Sequence, residues 1–185
     1  MSDEEEESLN IVIDENDIYF YDVVSDRSIL KLNVELRKLE RKLTDCKKGE
    51  ITIFINSVGG DVFSGFSAMD HINACKVPVT TVADGLCCSA ATLLFLGGKK
   101  RLVKKHSHFL IHQISSDSSS WLKFEDMKDD MKNSERLMER MVDVYRERTE
   151  LPENKLRRLM KHDVYLTCDQ CVKYSIASGV YGDGV

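Results

Sequence analysis

The stretch Ile51-Thr52-Ile53-Phe54-Ile55-Asn56-Ser57-Val58-Gly59-Gly60 decides the fold class. Its first five residues are β-branched or aromatic, the composition of a short strand buried within a sheet. Asn56 and the pair Gly59-Gly60 stop that strand in a turn. A helical pattern follows at once: Val62, Phe66, Met69 and Ile72, with Phe63 beside them. A strand that passes through a tight turn into a helix is the front half of a parallel β-α-β unit.

The same order recurs on both sides. Val77 to Ala83 reads as the next strand, and Ala90 to Leu96 as a compact apolar helix closed by Gly97-Gly98. Arg101 to Val103 and Phe109 to Ile111 are further strand candidates. Upstream, residues 17–24 read as a strand. Leu32, Leu36, Leu39 and Leu43 recur at spacings of 4, 3 and 4, the stripe of an amphipathic helix. The chain is therefore expected to be an α/β domain with much parallel pairing. In such sheets, sites gather where strands hand over to helices, and both Gly59-Gly60 and Ser89 fall at hand-overs.

Beyond the polar run at residues 115–120, a long helix is expected. Phe124, Met127, Met131, Met138, Met141, Val142 and Tyr145 share one of its faces, and the other is charged. The pattern leaves two readings open: a helix that projects against a neighbouring subunit, or one that lies over its own core. Pro152 ends the pattern, a short helix runs to about Lys161, and Asp163 follows. Thr167-x-x-Gln170 is a capping-box start for a last helix.

Length and composition set limits. The 185 residues, 42% hydrophobic, suit one domain, taken as 17–185 behind an acidic flexible segment at 1–16. Residues 1–26 hold ten acids and no Lys or Arg, so the remainder carries 26 bases against 21 acids. Those bases are scattered without interleaved aromatics, which argues against nucleic-acid binding. No apolar run approaches the ~20 residues of a membrane span, and an acidic N-terminus is not a signal peptide. Six cysteines, two adjacent and two as Cys168-x-x-Cys171, read as reduced thiols of an intracellular, cytoplasmic protein. A second Cys/His pair with ligand spacing is missing, so no metal or cofactor is expected, and Cys168 and Cys171 read as small side chains opening a helix. No phosphate-binding Gly-Lys-Ser/Thr loop is present, so ATP hydrolysis by that route is excluded.

Three residues suggest chemistry. A serine hydroxyl is a weak nucleophile unless a base takes its proton and a third group orients the base. Ser89, between small residues at the start of an apolar helix, is the candidate nucleophile. The helix start places amide N–H groups near it, and Ala90 N–H is one candidate oxyanion donor. The Gly59-Gly60 turn can bring a second, Gly60 N–H, because no Cβ obstructs it. His112, closing the strand Phe109-Leu110-Ile111, is the candidate base; His71, His106, His108 and His162 read as structural. Asp163, ahead of Tyr165-Leu166, is the candidate orienting acid and is expected to be partly buried. Asp84 and Asp117 also lie near candidate segments. The order Ser, His, Asp and the lack of a Gly-x-Ser-x-Gly elbow disfavour the chymotrypsin, subtilisin and α/β-hydrolase folds.

At these motifs the chain resembles ClpP, the proteolytic subunit of the Clp protease. The resemblance is carried by Ile55-Asn56-Ser57-Val58-Gly59-Gly60, Gly85-Leu86-Cys87-Cys88-Ser89-Ala90-Ala91, Leu110-Ile111-His112-Gln113-Ile114 and Asp163-Val164-Tyr165-Leu166-Thr167-Cys168, in the family's order, over about residues 50–178. It implies a ClpP/crotonase-like fold of stacked ββα units with a protruding handle helix at 121–149. It implies Ser89, His112 and Asp163 as a catalytic triad, with the Gly60 and Ala90 amides as oxyanion hole. It also implies a serine endopeptidase acting on unfolded polypeptides inside a homo-oligomeric heptameric ring, stacked as a tetradecamer and fed by an AAA+ unfoldase.

The chain departs from the family at Val58 and Ile114, where the family has Pro, and at Ala90, where it has Met. The loop after His112 is Ser-rich rather than Gly-rich, and residues 1–26 do not resemble the family's N-terminal segment. Two other readings remain in play: a crotonase-type acyl-CoA enzyme on the same fold, and a non-catalytic ring subunit that modulates an active paralogue. A Ser–Lys dyad, as in signal-peptide-peptidase relatives, is disfavoured by Ile111-His112-Gln113 and Asp163.

Overall fold

The computed structural model describes residues 11–46, 49–115 and 123–182. The acidic run Asp3 to Glu7 and most of the serine-rich loop, 116–120, lie outside the described residues, as do positions 121–122 of the expected long helix.

A seven-stranded sheet forms the centre. In chain order its strands are β1 (Ile11–Asp14), β2 (Asp17–Phe20), β3 (Ile51–Ser57), β4 (Val79–Cys88), β5 (Lys100–Val103), β6 (His108–Leu110) and β7 (Gly179–Val180). Their spatial order is β1-β2-β3-β4-β5-β7, with β6 also on β4. Among the described residues only β1 with β2 is antiparallel; every other strand pair is parallel. β1 was not expected. It is a hairpin partner for β2, so the sheet begins inside the segment assigned to the flexible tip. Residues 21–24, expected to continue β2, leave the ladder, and Val24 instead forms a lone bridge to Gly60.

β4 is the hinge of the architecture. Its residues Thr80 to Ala83 pair with β5, and Leu86 to Cys88 pair with β6. The change falls at Asp84-Gly85, where Gly85 has φ +92, a backbone state that favours glycine. The β3–β4 register also shifts there, between Ile55 and Ser57. One strand thus serves two sets of neighbours, and its far end carries Ser89.

Helices α1 (Asp26–Cys46), α2 (Val62–Asn73), α3 (Ala91–Gly97), α4 (Phe124–Arg148), α5 (Glu153–Leu159) and α6 (Cys168–Lys173) complete the fold. The leucine stripe of α1 is buried as its spacing predicts, with Leu32, Leu36, Leu39 and Leu43 all in the core. On α2 the expected stripe is partly wrong. Phe63 is exposed, while Gly65, Ala68, Met69 and Ile72 face inward. Small residues win that face because α3 packs closely: a Cβ on Gly65 would lie 3.0 Å from Ala90 O. α3 is buried on all sides, as its largely apolar sequence requires. The capping box of α6 forms as read, with Thr167 and Gln170 exchanging hydrogen bonds.

α4 is buried at one end and exposed at the other. Met141, Val142, Val144 and Tyr145 at its C-terminal end are buried in the core. Phe124, Met127 and Met131 at its other end are exposed.

Candidate active site

β4 ends at Cys88, and Ser89 turns the chain into α3 with φ +54, a conformation rare outside glycine. Holding it there costs about 1–3 kcal/mol. Three hydrogen bonds restrain it. Ser89 N–H donates to Leu110 O at 2.9 Å, and Ser89 O accepts from Thr92 N–H at 3.0 Å and from Thr92 Oγ1 at 2.6 Å. Gly59, at φ +96, presses against the same turn. A Cβ on it would stand 2.6 Å from both Cys88 O and Ser89 Cβ, so the glycine is a steric necessity.

His112 follows β6 by two residues, because the strand closes at Leu110 rather than at Ile111. Leu110 pairs with Cys88, so the histidine leaves the strand next to the one that delivers the serine. Gln113 N–H donates to Met160 O at 2.7 Å and fixes the chain after the ring. Asp163 arrives from the turn behind α5. Phe109 and Leu166 exchange N–H···O bonds of 3.1 and 2.7 Å in an antiparallel bridge. Asp163 stands three residues before Leu166 and His112 three after Phe109, so this bridge sets them side by side. His112 Nδ1 and Asp163 Oδ1 are 3.0 Å apart.

Asp163 is not partly buried: its side chain is 78% exposed. The expected apolar cover splits, because in the extended segment Leu166 turns into the core and Tyr165 turns outward against the His108 ring. The other candidates are engaged elsewhere. Asp84 pairs with Lys104 at 2.8 Å and accepts from Tyr21, and Asp117 lies outside the described residues. His71 lines a separate groove of about 630 Å³ between α1 and α2 that contains none of the three candidates.

Ser89, Ala90, Gly60 and His112 line one cavity of about 350 Å³. Among the described residues, no hydrogen bond joins Ser89 Oγ to His112. The pairing of Nδ1 with Asp163 leaves Nε2 as the nitrogen able to take a serine proton. Catalytic hydrogen bonds often tighten only with substrate in place. The Gly60 and Ala90 amides have no acceptor among the described residues, as a helix start and a glycine turn leave them. Phe63, Ile114, Leu137 and Met141 give the cavity an apolar wall.

Three residues that build this site were given no part in it by the sequence reading. Asn56 Oδ1 accepts from Leu86 N–H at 3.0 Å and fills the irregularity between β3 and β4. Ser57 Oγ accepts from Gly59 N–H at 3.1 Å and shapes the glycine turn. Short polar side chains just ahead of a glycine pair are the available signal. Thr92, in the first turn of an apolar helix, offered none. The cysteines add no chemistry here: burial pushes the Cys88 thiol up to about 11 and the Cys171 thiol up to about 12. Among the described residues, no group of three or more His, Cys, Asp or Glu could hold a metal. No helix among them is long and apolar enough to cross a membrane.

A serine on a strained strand-to-helix turn, sharing a cavity with a histidine that an aspartate holds, is the layout of a serine peptidase built on a parallel α/β sheet. Comparison with known proteins narrows this. The family model of the Clp protease matches residues 2–183. The chain is 30% identical over 172 residues to the ATP-dependent Clp protease proteolytic subunit 1 of Chlamydia caviae, covering 91% of this chain and 88% of that one. It is 31% identical over 133 residues to the ATP-dependent Clp protease proteolytic subunit of Deinococcus radiodurans, covering 71% of this chain and 64% of that one. A mutant ClpP1 from Listeria monocytogenes shares the fold, with a TM-score of 0.79 at 22% identity over 92% of this chain and 93% of that one. The chain belongs to the Clp protease family.

Proposed function

We propose that the chain is a serine endopeptidase in which Ser89 is the nucleophile, His112 the general base and Asp163 its orienting acid. One observation carries this reading. The strained Ser89 turn and His112 line one cavity through the β4–β6 pairing, and the Phe109–Leu166 bridge sets Asp163, 51 residues further along the chain, against His112 Nδ1.

The steps are those of a serine, histidine and aspartate acting together. Ser89 Oγ attacks the peptide carbonyl as His112 Nε2 takes its proton. Asp163 holds Nδ1–H and stabilises the imidazolium. The carbonyl oxygen, now negative, is met by the Gly60 and Ala90 N–H groups. His112 returns the proton to the leaving amine, and water then repeats the sequence to release the acyl group. The apolar wall of Phe63, Ile114, Leu137 and Met141 suits an apolar side chain beside the scissile bond.

The family membership supports the wider setting: a homo-oligomeric ring, heptameric and stacked as a tetradecamer, that degrades unfolded polypeptides in the cytoplasm with an AAA+ unfoldase as partner. The exposed apolar end of α4 supports a second copy of the chain as its cover. A crotonase-type acyl-CoA enzyme is not favoured, because membership lies with the protease family. The test is labelling by a fluorophosphonate probe. An adduct on Ser89 that vanishes in His112→Ala supports the triad. A folded protein that takes no label favours a triad gated by a partner or a non-catalytic ring subunit instead.

A further inference from the structure

We propose that Thr92 and Tyr145 are positioning residues that aim the Ala90 N–H at the substrate oxyanion, an inference that rests on the site reading above. Thr92 Oγ1 lies 2.6 Å from Ser89 O and also meets the Tyr145 hydroxyl. A carbonyl has no proton to give, so the single Thr92 hydroxyl proton goes to Ser89 O. The Thr92 oxygen must then accept, which makes Tyr145 O–H the donor. A two-step chain results: Tyr145 donates to Thr92, and Thr92 donates to Ser89 O. Thr92 N–H adds a second donor to the same carbonyl at 3.0 Å.

The consequence lies in one peptide plane. Ser89 C=O and Ala90 N–H are the two ends of a single trans peptide and point in opposite directions. Donors that hold the carbonyl toward Thr92 therefore hold the N–H away from it, on the side of the cavity that Ala90 lines. The restraint is needed because Ser89, at φ +54, sits in a backbone state that an L-residue leaves readily.

Tyr145 is suited to a fixed role. It is fully buried at the C-terminal end of α4, and Thr92 is likewise without solvent exposure. Burial pushes the Tyr145 hydroxyl far above its ordinary value, so it remains a donor at every working pH. α4 also contributes Leu137 and Met141 to the cavity wall. The helix that shapes the substrate site therefore also holds the peptide that meets the oxyanion.

The test compares Thr92→Val, which keeps the shape and loses the hydroxyl, with Thr92→Ser and Tyr145→Phe. Five quantities are read: kcat and KM on a fluorogenic peptide, affinity for a peptide aldehyde whose adduct carries the oxyanion, fluorophosphonate labelling of Ser89, and melting temperature. Losing an oxyanion donor outright costs about 10²–10³ in rate, so a misaimed donor is expected to cost Thr92→Val about 10- to 100-fold in kcat. KM should stay within about twofold, and aldehyde affinity should fall in step with kcat. Thr92→Ser should recover to within about threefold of wild type, and Tyr145→Phe should lose about three- to tenfold. The inference is overturned if Thr92→Val keeps wild-type kcat, if Thr92→Ser is as impaired as Thr92→Val, or if the loss appears in KM alone. If Thr92→Val does not fold, Tyr145→Phe decides, and unchanged kcat with unchanged aldehyde affinity overturns the inference. A wild-type protein unlabelled at Ser89 would instead bring down the site reading, and this inference with it.

Discussion

Asp163 Oδ1 lies 3.0 Å from His112 Nδ1 while 78% of the Asp163 side chain stands open to water. Water competes for that carboxylate and screens its charge, so the pair is weaker than a buried one. Amidating a buried triad aspartate costs about 10⁴ in kcat. For Asp163→Asn we expect a smaller fall, about 10², read as kcat on a short fluorogenic peptide. A fall below threefold would show that another group orients His112.

The backbone at Ser89 yields a prediction that is independent of rate. A residue with a Cβ is strained at φ +54, and glycine is not. Ser89→Ala and Ser89→Gly both remove the nucleophile, but only the second relieves the strain. Ser89→Gly is expected to be more stable than Ser89→Ala by about 1 kcal/mol, despite glycine's greater chain entropy. Urea midpoints of the two variants measure this. Equal midpoints would mean that the turn is unstrained.

The difference between what was legible in the sequence and what was not has a physical basis. Local signals were readable. The spacing of Leu32, Leu36, Leu39 and Leu43 is a property of one helix, and Thr167-x-x-Gln170 closes on itself within three residues. Ser89, His112 and Asp163 stood out through motifs; Ser89 and His112 line one cavity, and Asp163 pairs with His112. What escaped was set by neighbours. β1 exists because β2 offers it an edge, and the exposure of Phe63 follows from the close approach of α3 to Gly65. The exposure of Asp163 depends on which of Tyr165 and Leu166 turns inward, and the Phe109–Leu166 bridge decides that from far along the chain. Thr92 is the clearest case. A threonine in an apolar helix has no local signature, and its role depends on a tyrosine 53 residues away.

α4 carries an exposed stripe on which assembly can be tested. Phe124, Met127 and Met131 follow one another at helical spacing and are 66%, 49% and 66% exposed. Contiguous apolar surface of this kind marks an interaction site, and a charge placed within it is costly to bury. Met131→Glu is expected to leave the subunit's circular dichroism unchanged and to reduce the mass of the assembly, most simply by half if stacked rings separate. Light scattering on the eluting protein gives the mass. An unchanged mass would remove this stripe from the interface.

The buried thiols give stability a dependence on alkaline pH. Burial raises Cys88 from about 9 to about 11 and Cys171 from about 9 to about 12, so the fold favours their protonated forms. In the unfolded chain the same thiols ionise near 9. Above that pH the unfolded state binds fewer protons, and stability falls with rising pH. Their contribution is therefore complete below pH 9 and is lost as pH climbs from there through 11 and 12. The loss at pH 10 is expected to be about 1 kcal/mol per thiol, since holding one proton across a full pH unit is worth about 1.4 kcal/mol and residual solvent contact trims that figure. Urea midpoints at pH 8 and pH 10, compared with a Cys88→Ala/Cys171→Ala variant, isolate this share from lysines and tyrosines that titrate nearby. The variant should lose less stability between the two pH values than the wild type. An equal loss would show that the thiols are not protected by the fold, and iodoacetamide would then modify Cys88 and Cys171 in the native protein at pH 8 as fast as it modifies a free thiol.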